Sequence, residues 1–146
     1  MDFEHIRRKY KDRMLQIAFV ASGWSPEKEG NRHGCVLALE GKYPIAVGFN
    51  GPDRNWKLEG KDCGGSCCKA PNIHAEVNAI LNAQFVGADL SKCVAFVTKK
   101  PCRPCYQALT QAGIKAIFWL QDCSGGDCGW VEGEPAPSSF GTYAQA

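Results

Sequence analysis

Two short segments carry side chains that could act together as a reaction centre: His74-Ala75-Glu76 and Pro101-Cys102-Arg103-Pro104-Cys105. Imidazole nitrogen and thiolate sulfur suit zinc, which binds them tetrahedrally and, in catalytic sites, keeps one position for water. Cys102 and Cys105 stand three apart, so on a helix they share one face of the first turn. The positive end of that helix lowers the cost of ionising both thiols. Pro101 helps to fix the entry to it. His74 offers the third ligand, and two thiolates balance the charge of the ion. Glu76 adds what a structural site lacks. A carboxylate beside zinc-bound water can take its proton and pass it on, and zinc lowers the pKa of that water towards neutrality. Hydrolytic deamination needs this combination. Hydroxide attacks an amidine carbon, and the protonated carboxyl returns protons to the ring nitrogen and the departing amine.

Taken singly, the two segments say little. A Cys-x-x-Cys pair is also half of a structural zinc site or a redox pair, and an isolated His-x-Glu carries no set meaning. Their order, the interval between them and a strand expected in that interval narrow the joint reading to a catalytic zinc. One condition is geometric. Residues two apart on an ideal helix point roughly 200° apart. His74 and Glu76 therefore converge only if His74 sits at the start of its helix.

The elements that must position these groups follow from periodicity. Phe3, Ile6, Tyr10, Met14, Ile17, Ala18 and Ala21 recur at steps of three or four, so residues 3–21 form an amphipathic helix. Cys35–Leu39 reads as a buried strand, Glu40-Gly41-Lys42 as a turn, and Ile45–Phe49 as the returning arm of a hairpin. Residues 50–72 are irregular, and a loop of that length in a small domain is usually functional or tied by metal. A second helix spans about 74–86, a strand Val94–Val97, a third helix the stretch from Pro101 to Gly113, and a last strand Ile114–Leu120. This alternation predicts an α/β fold, a three-layer α/β/α sandwich on a mixed sheet of four to five strands. The expected domain is 1–123. Residues 124–146, rich in Gly, Ser, Pro and Ala, read as a tail and are short of the apolar pattern that a fifth strand would need.

The bulk composition removes several classes of function. A chain of 146 residues suits one compact domain. The net charge of +2 is too small for a surface built to hold long nucleic acid. The cations at Arg7, Arg8, Lys9, Lys11 and Arg13 interleave with apolar positions of the first helix, as on a solvated face. There is no apolar run of membrane-spanning length and no signal-peptide pattern, so the expected location is the cytoplasm. Nine cysteines, an odd number, point in a reducing setting to metal or catalysis rather than a disulfide framework. Cys93 stands at a strand start and reads as core, while Cys123 and Cys128 read as a further metal half-site or free thiols.

His74–Ile80 and Thr98–Cys105 resemble the deoxycytidylate deaminases of the zinc-dependent cytidine deaminase superfamily, whose signature is H-x-E…P-C-x-x-C. Gly48-Phe49-Asn50-Gly51-Pro52 resembles that family's Gly-Tyr-Asn-Gly strand end, and Gly113-Ile114-Lys115 also fits. The likeness covers about residues 14–121. The zinc motif is common to the superfamily; Asn78 and the Asn50 segment favour the deoxycytidylate branch. The resemblance implies deamination of dCMP to dUMP, which feeds thymidylate synthesis. It implies that Asn50 holds the sugar hydroxyl and that the backbone at Ala75 meets the pyrimidine edge. It places Arg32 at the phosphate, with Ser22 and Ser25 as weaker candidates; a monophosphate needs a cation and hydroxyl or amide donors. Trp119 is a candidate to flank the base, a role for which Phe49 is the weaker choice and better read as core.

The loop Asp62–Cys68 resembles that of relatives with a second, structural zinc, for which Cys63, Cys67 and Cys68 are candidate ligands, with His33, Cys35 or no side chain as the fourth. The family is commonly hexameric, activated by deoxycytidine triphosphate with Mg2+ and inhibited by thymidine triphosphate, and the Asn50–Arg54 loop lies where such control would act. Two other readings stay open. One is the same chemistry on a nucleoside, a base, single-stranded DNA or tRNA; the other is a zinc module that only stabilises its fold.

Overall fold

The computed structural model describes residues 6–28, 30–51, 73–114, 116–120 and 140–144. In chain order these form α1 (Arg8–Ser22), β1 (Gly34–Leu39), β2 (Tyr43–Phe49), α2 (Ala75–Phe85), a 3-10 turn (Leu90–Lys92), β3 (Cys93–Val97), α3 (Arg103–Gln111), β4 (Ala116–Leu120) and β5 (Phe140–Ala144). The five strands make one mixed sheet in the order β2-β1-β3-β4-β5. β1 pairs antiparallel with β2 and with β3, whereas β3 and β4 run parallel. Parallel neighbours need a crossover, which α3 supplies. The architecture is the expected α/β sandwich.

Alternation along each strand divides the core into two layers. Val36, Ala38, Val94, Phe96, Ala116 and Phe118 face α1 and meet its Met14, Leu15 and Ala18. Phe96 and Phe118 stack there with ring centroids 5.4 Å apart. The intervening Cys35, Leu37, Ala95, Val97, Ile117 and Trp119 face α2 and α3, against Ala79, Ile80, Ala83 and Leu109. β3 is buried along its whole length, as a strand covered on both faces must be.

The first correction to the sequence reading concerns the chain end. Phe140–Ala144 pairs antiparallel with β4, from Leu120 opposite Phe140 to Ala116 opposite Ala144. A fifth strand therefore comes from the stretch read as a tail. The segment has only five residues and a glycine among them, so its own pattern is weak. What makes it a strand is the open backbone of β4, because strand propensity depends mostly on context.

Gly48 decides how closely α2 lies on the sheet. A β-carbon there would overlap the Ala75 carbonyl and the Ala79 amide, both in the helix backbone. Two asparagines, one helical turn apart, complete the seam. Asn78 Nδ2 donates to the Phe49 carbonyl (2.7 Å) and Asn82 Nδ2 to the Val47 carbonyl (2.7 Å). β2 is an outer strand, so these side chains partner carbonyls that no neighbouring strand can reach. Gly48→Ala must push the first turn of α2 off the sheet. It should destabilise the protein by roughly 1–3 kcal/mol, as overpacking does, and weaken metal retention at His74; denaturant melts and metal analysis of the purified variant check both.

Candidate active site

Each chemistry-bearing segment is a helix start. His74 is the N-cap of α2, in extended conformation (φ −66°, ψ 152°), and Cys102 is the N-cap of α3 in the same conformation (φ −68°, ψ 164°). Neither side chain caps its own helix. Instead the two turn towards each other. His74 Nδ1 lies 3.5 Å from Cys102 Sγ and 3.3 Å from Cys105 Sγ. The three donor atoms fall within 4.8 Å of one another. With zinc about 2.05 Å from nitrogen and about 2.3 Å from sulfur, the N···S edge of a tetrahedron is about 3.6 Å. The donor set and its spacing therefore fit zinc. The geometric condition on His74 is also met: it stands before the helix, which begins at Ala75.

Glu76 is buried in the first turn of α2, 5% exposed. Burial holds its carboxyl above the ordinary carboxylate range, against opposing contributions from a backbone amide, the Cys105 thiol and His74. Burial also pushes the Cys105 thiol well up, reinforced by the Glu76 charge and by Cys102. The Cys105 thiol and the Glu76 carboxyl, buried this closely together, resist ionisation unless a cation sits beside them. Cys35 lies in the same neighbourhood. It is fully buried in β1, and its thiol is raised by burial first and then by the charges of Glu76 and Cys105.

A cavity of about 330 Å³ opens over this cluster. His74, Ala75, Glu76 and Cys102 line one part of it, and Asn31, His33 and Asn50 another. Asn50 is buried, and its side chain joins two loop segments. Its Oδ1 accepts from the His33 amide (2.8 Å) and its Nδ2 donates to the Asn31 carbonyl (2.7 Å). Each of these atoms keeps capacity for a second bond. Ala75 brings the first amides of α2 to the cavity, where no intrahelical carbonyl can take them.

Several expected contacts are not among the lining residues. Arg32 is half-buried and its Nε donates to the Glu27 carbonyl (2.8 Å). Ser22 Oγ donates back to the Phe19 carbonyl (2.6 Å) and Ser25 Oγ to the Asn50 carbonyl (2.7 Å), so backbone takes up both hydroxyls. Trp119 is a core residue, edge-on to Tyr106 of α3 at 6.0 Å. Strand alternation turns it under α3, where it holds down the helix that carries Cys105. Phe49 meets Trp24 edge-on at 6.2 Å. Of the second-zinc candidates, Cys63, Cys67 and Cys68 lie outside the described residues, as do Cys123 and Cys128. Cys35 packs in the apolar layer and His33 lines the cavity; neither belongs to the tight donor cluster. The sequence reading passed over Lys99, Lys100, Glu27 and Asn31, all of which line the cavity. The adjacency of Lys99 and Lys100 to Pro101-Cys102 was the available signal.

A three-layer α/β fold with a His-Cys-Cys donor set and a buried glutamate at two converging helix starts defines the zinc-dependent deaminase class. The pattern of the cytidine and deoxycytidylate deaminase zinc-binding region matches residues 8–121, and the chain belongs to that family. Deoxycytidylate deaminase of Mus musculus is 26% identical over 122 residues, covering 78% of this chain and 66% of that protein. Deoxycytidylate deaminase of Enterobacteria phage T4 is 31% identical over 93 residues, covering 63% of this chain and 48% of that protein. The chain thus spans from about half to just under two thirds of these relatives' length. In fold it is similar to dCMP deaminase of cyanophage S-TIM5, with a TM-score of 0.63 at 21% identity over 82% of this chain and 90% of that one. It is also similar to cytidine deaminase of Burkholderia pseudomallei, with a TM-score of 0.55 at 14% identity over 90% of both chains.

Metal analysis tests the centre directly. Cys105→Ser should lose one equivalent of zinc relative to the wild-type chain.

Proposed function

We propose that this protein hydrolyses dCMP to dUMP and ammonia, with His74, Cys102 and Cys105 as zinc ligands and Glu76 as the catalytic acid and base. The observation that carries the reading is Glu76, a buried carboxyl beside three converging donors, in a cavity sized for a small molecule. When bound, zinc supplies a water whose pKa is lowered towards neutrality. Glu76 would take a proton from a water at this site. The water oxygen bonds to C4 of cytosine, the C4–N4 bond breaks, and the C4 carbonyl of uracil is left. Glu76 would pass the first proton to the ring nitrogen, take the second from the same oxygen as it becomes the C4 carbonyl, and give it to the amine, which departs as ammonia. The raised proton affinity of Glu76 suits a group that must hold a proton between two transfers. The Ala75 amides and Asn50 are polar groups fixed in place at the cavity, able to meet the pyrimidine edge and the sugar.

The choice of dCMP rests on the family and on the deoxycytidylate deaminases among its relatives. A small net charge speaks against a polynucleotide substrate. The same resemblance extends the proposal to a homo-oligomer, activated by deoxycytidine triphosphate with Mg2+ and inhibited by thymidine triphosphate; a cytoplasmic location is proposed separately, from the sequence pattern. Ammonia release from dCMP, deoxycytidine, single-stranded DNA and tRNA tests the substrate: dCMP should be the one turned over. Turnover of DNA without dCMP would overturn the assignment. Glu76→Gln should lower kcat roughly 10²–10⁴-fold while the zinc content stays at the wild-type level. Loss of zinc together with activity would give Glu76 a structural role instead.

A further inference from the structure

We propose that Lys99 and Lys100, on the loop between β3 and α3, form the subsite for the substrate's phosphate, with His33 beside them. The inference rests on the nucleotide deaminase reading and identifies the group that selects a monophosphate.

Both lysines line the cavity that contains His74 and Glu76, and both are exposed. They are the cations of its wall, since Arg32 is turned to the Glu27 carbonyl instead. Among the described residues neither lysine has an ion-pair partner; the pair found there is Arg8 with Asp12 on α1. A phosphate monoester carries about −1.5 to −2 charges at neutral pH. Two ammonium groups match that charge as point donors.

Their backbone is held from both sides. Just before them, the Gly34 amide donates to Thr98 Oγ1 (3.1 Å) and the Thr98 amide donates to the Gly34 carbonyl (3.1 Å). Just after them, Pro101 leads into Cys102, one of the zinc ligands. The phosphate subsite and the metal are thus parts of one short loop, which sets the distance between the two ends of the substrate. The Thr98–Gly34 link also brings His33 next to Lys99. His33 is fixed by Asn50, which accepts from its amide and donates to its carbonyl (3.3 Å). Its ring Nδ1 is buried without a hydrogen-bond partner. That atom is closed to solvent, so His33 contributes by its place beside Lys99 at the cavity rather than through Nδ1. Glu27 also lines the cavity.

The test compares kcat/KM for dCMP and deoxycytidine in zinc-loaded wild type, Lys99→Ala/Lys100→Ala and Lys99→Arg/Lys100→Arg. The alanine variant should lose at least about tenfold in the preference for dCMP over deoxycytidine, as expected for lost bonds to a charged group, and the loss should sit in KM. The arginine variant should keep most of the preference. An unchanged preference in the alanine variant, or an equal fall for both substrates, overturns the proposal. Failure of the wild type to deaminate either compound would sink the function reading instead. Inorganic phosphate then tests the subsite alone, by calorimetry on the zinc-loaded protein. Binding to the wild type that weakens about tenfold in the alanine variant supports it, and equal binding to both rejects it.

Discussion

Two helices, each beginning at a residue that does not cap it, are brought together until one nitrogen and two sulfurs lie within 4.8 Å. Everything else in the structure serves that convergence. A helix start carries partial positive charge and unpaired amides, which suits thiolates and a polar substrate. It is also a place where side chains can leave the helical direction. Because His74 has extended backbone, its ring reaches the sulfurs while Glu76, two residues on, faces the same cavity. An imidazole placed one turn inside the helix would have pointed elsewhere.

The sheet keeps the two helix starts in register. α2 is set by the absent side chain of Gly48 and by two asparagine amides on the carbonyls of β2. α3 is set by Leu109 in the buried layer and by Tyr106 against Trp119. β3, buried on both faces, feeds directly through Thr98 into the loop that ends at Cys102. On the opposite face α1 closes the other apolar layer without approaching the reaction centre.

The environment of Glu76 and Cys105 shows what such packing does to acid–base chemistry. The Glu76 charge makes ionisation of Cys105 harder, the Cys105 thiol eases ionisation of Glu76, and burial opposes ionisation of both. A divalent cation relieves this conflict. In the proposed mechanism the thiolates would hold the ion and the carboxyl would accept and release a proton. Cys35 lies close to the same pair but stays within the apolar layer, where a thiol behaves as a small hydrophobe.

Much of this was legible in the order of residues. Helical and strand periods gave the elements from α1 to β4 to within a few residues, because each buries one face or both. The metal donors and Glu76 stood out because their side-chain types and spacing suit a known coordination chemistry. Contacts between loops were not legible. Arg32 and Ser25 have the right chemistry for a phosphate, yet in the folded chain they bond to the backbone carbonyls of Glu27 and Asn50 and are not among the lining residues. Trp119 is turned away by the parity of β4, which depends on where the strand pairs. β5 escaped because a short glycine-containing strand takes its conformation from its neighbour. The sequence by itself therefore determined the His-Cys-Cys donor set, the glutamate proposed as the acid, and the layers, since these follow from local spacing. Only the tertiary structure decided which polar side chains line the cavity, because that depends on loop backbone meeting across the sheet, and no local period encodes it.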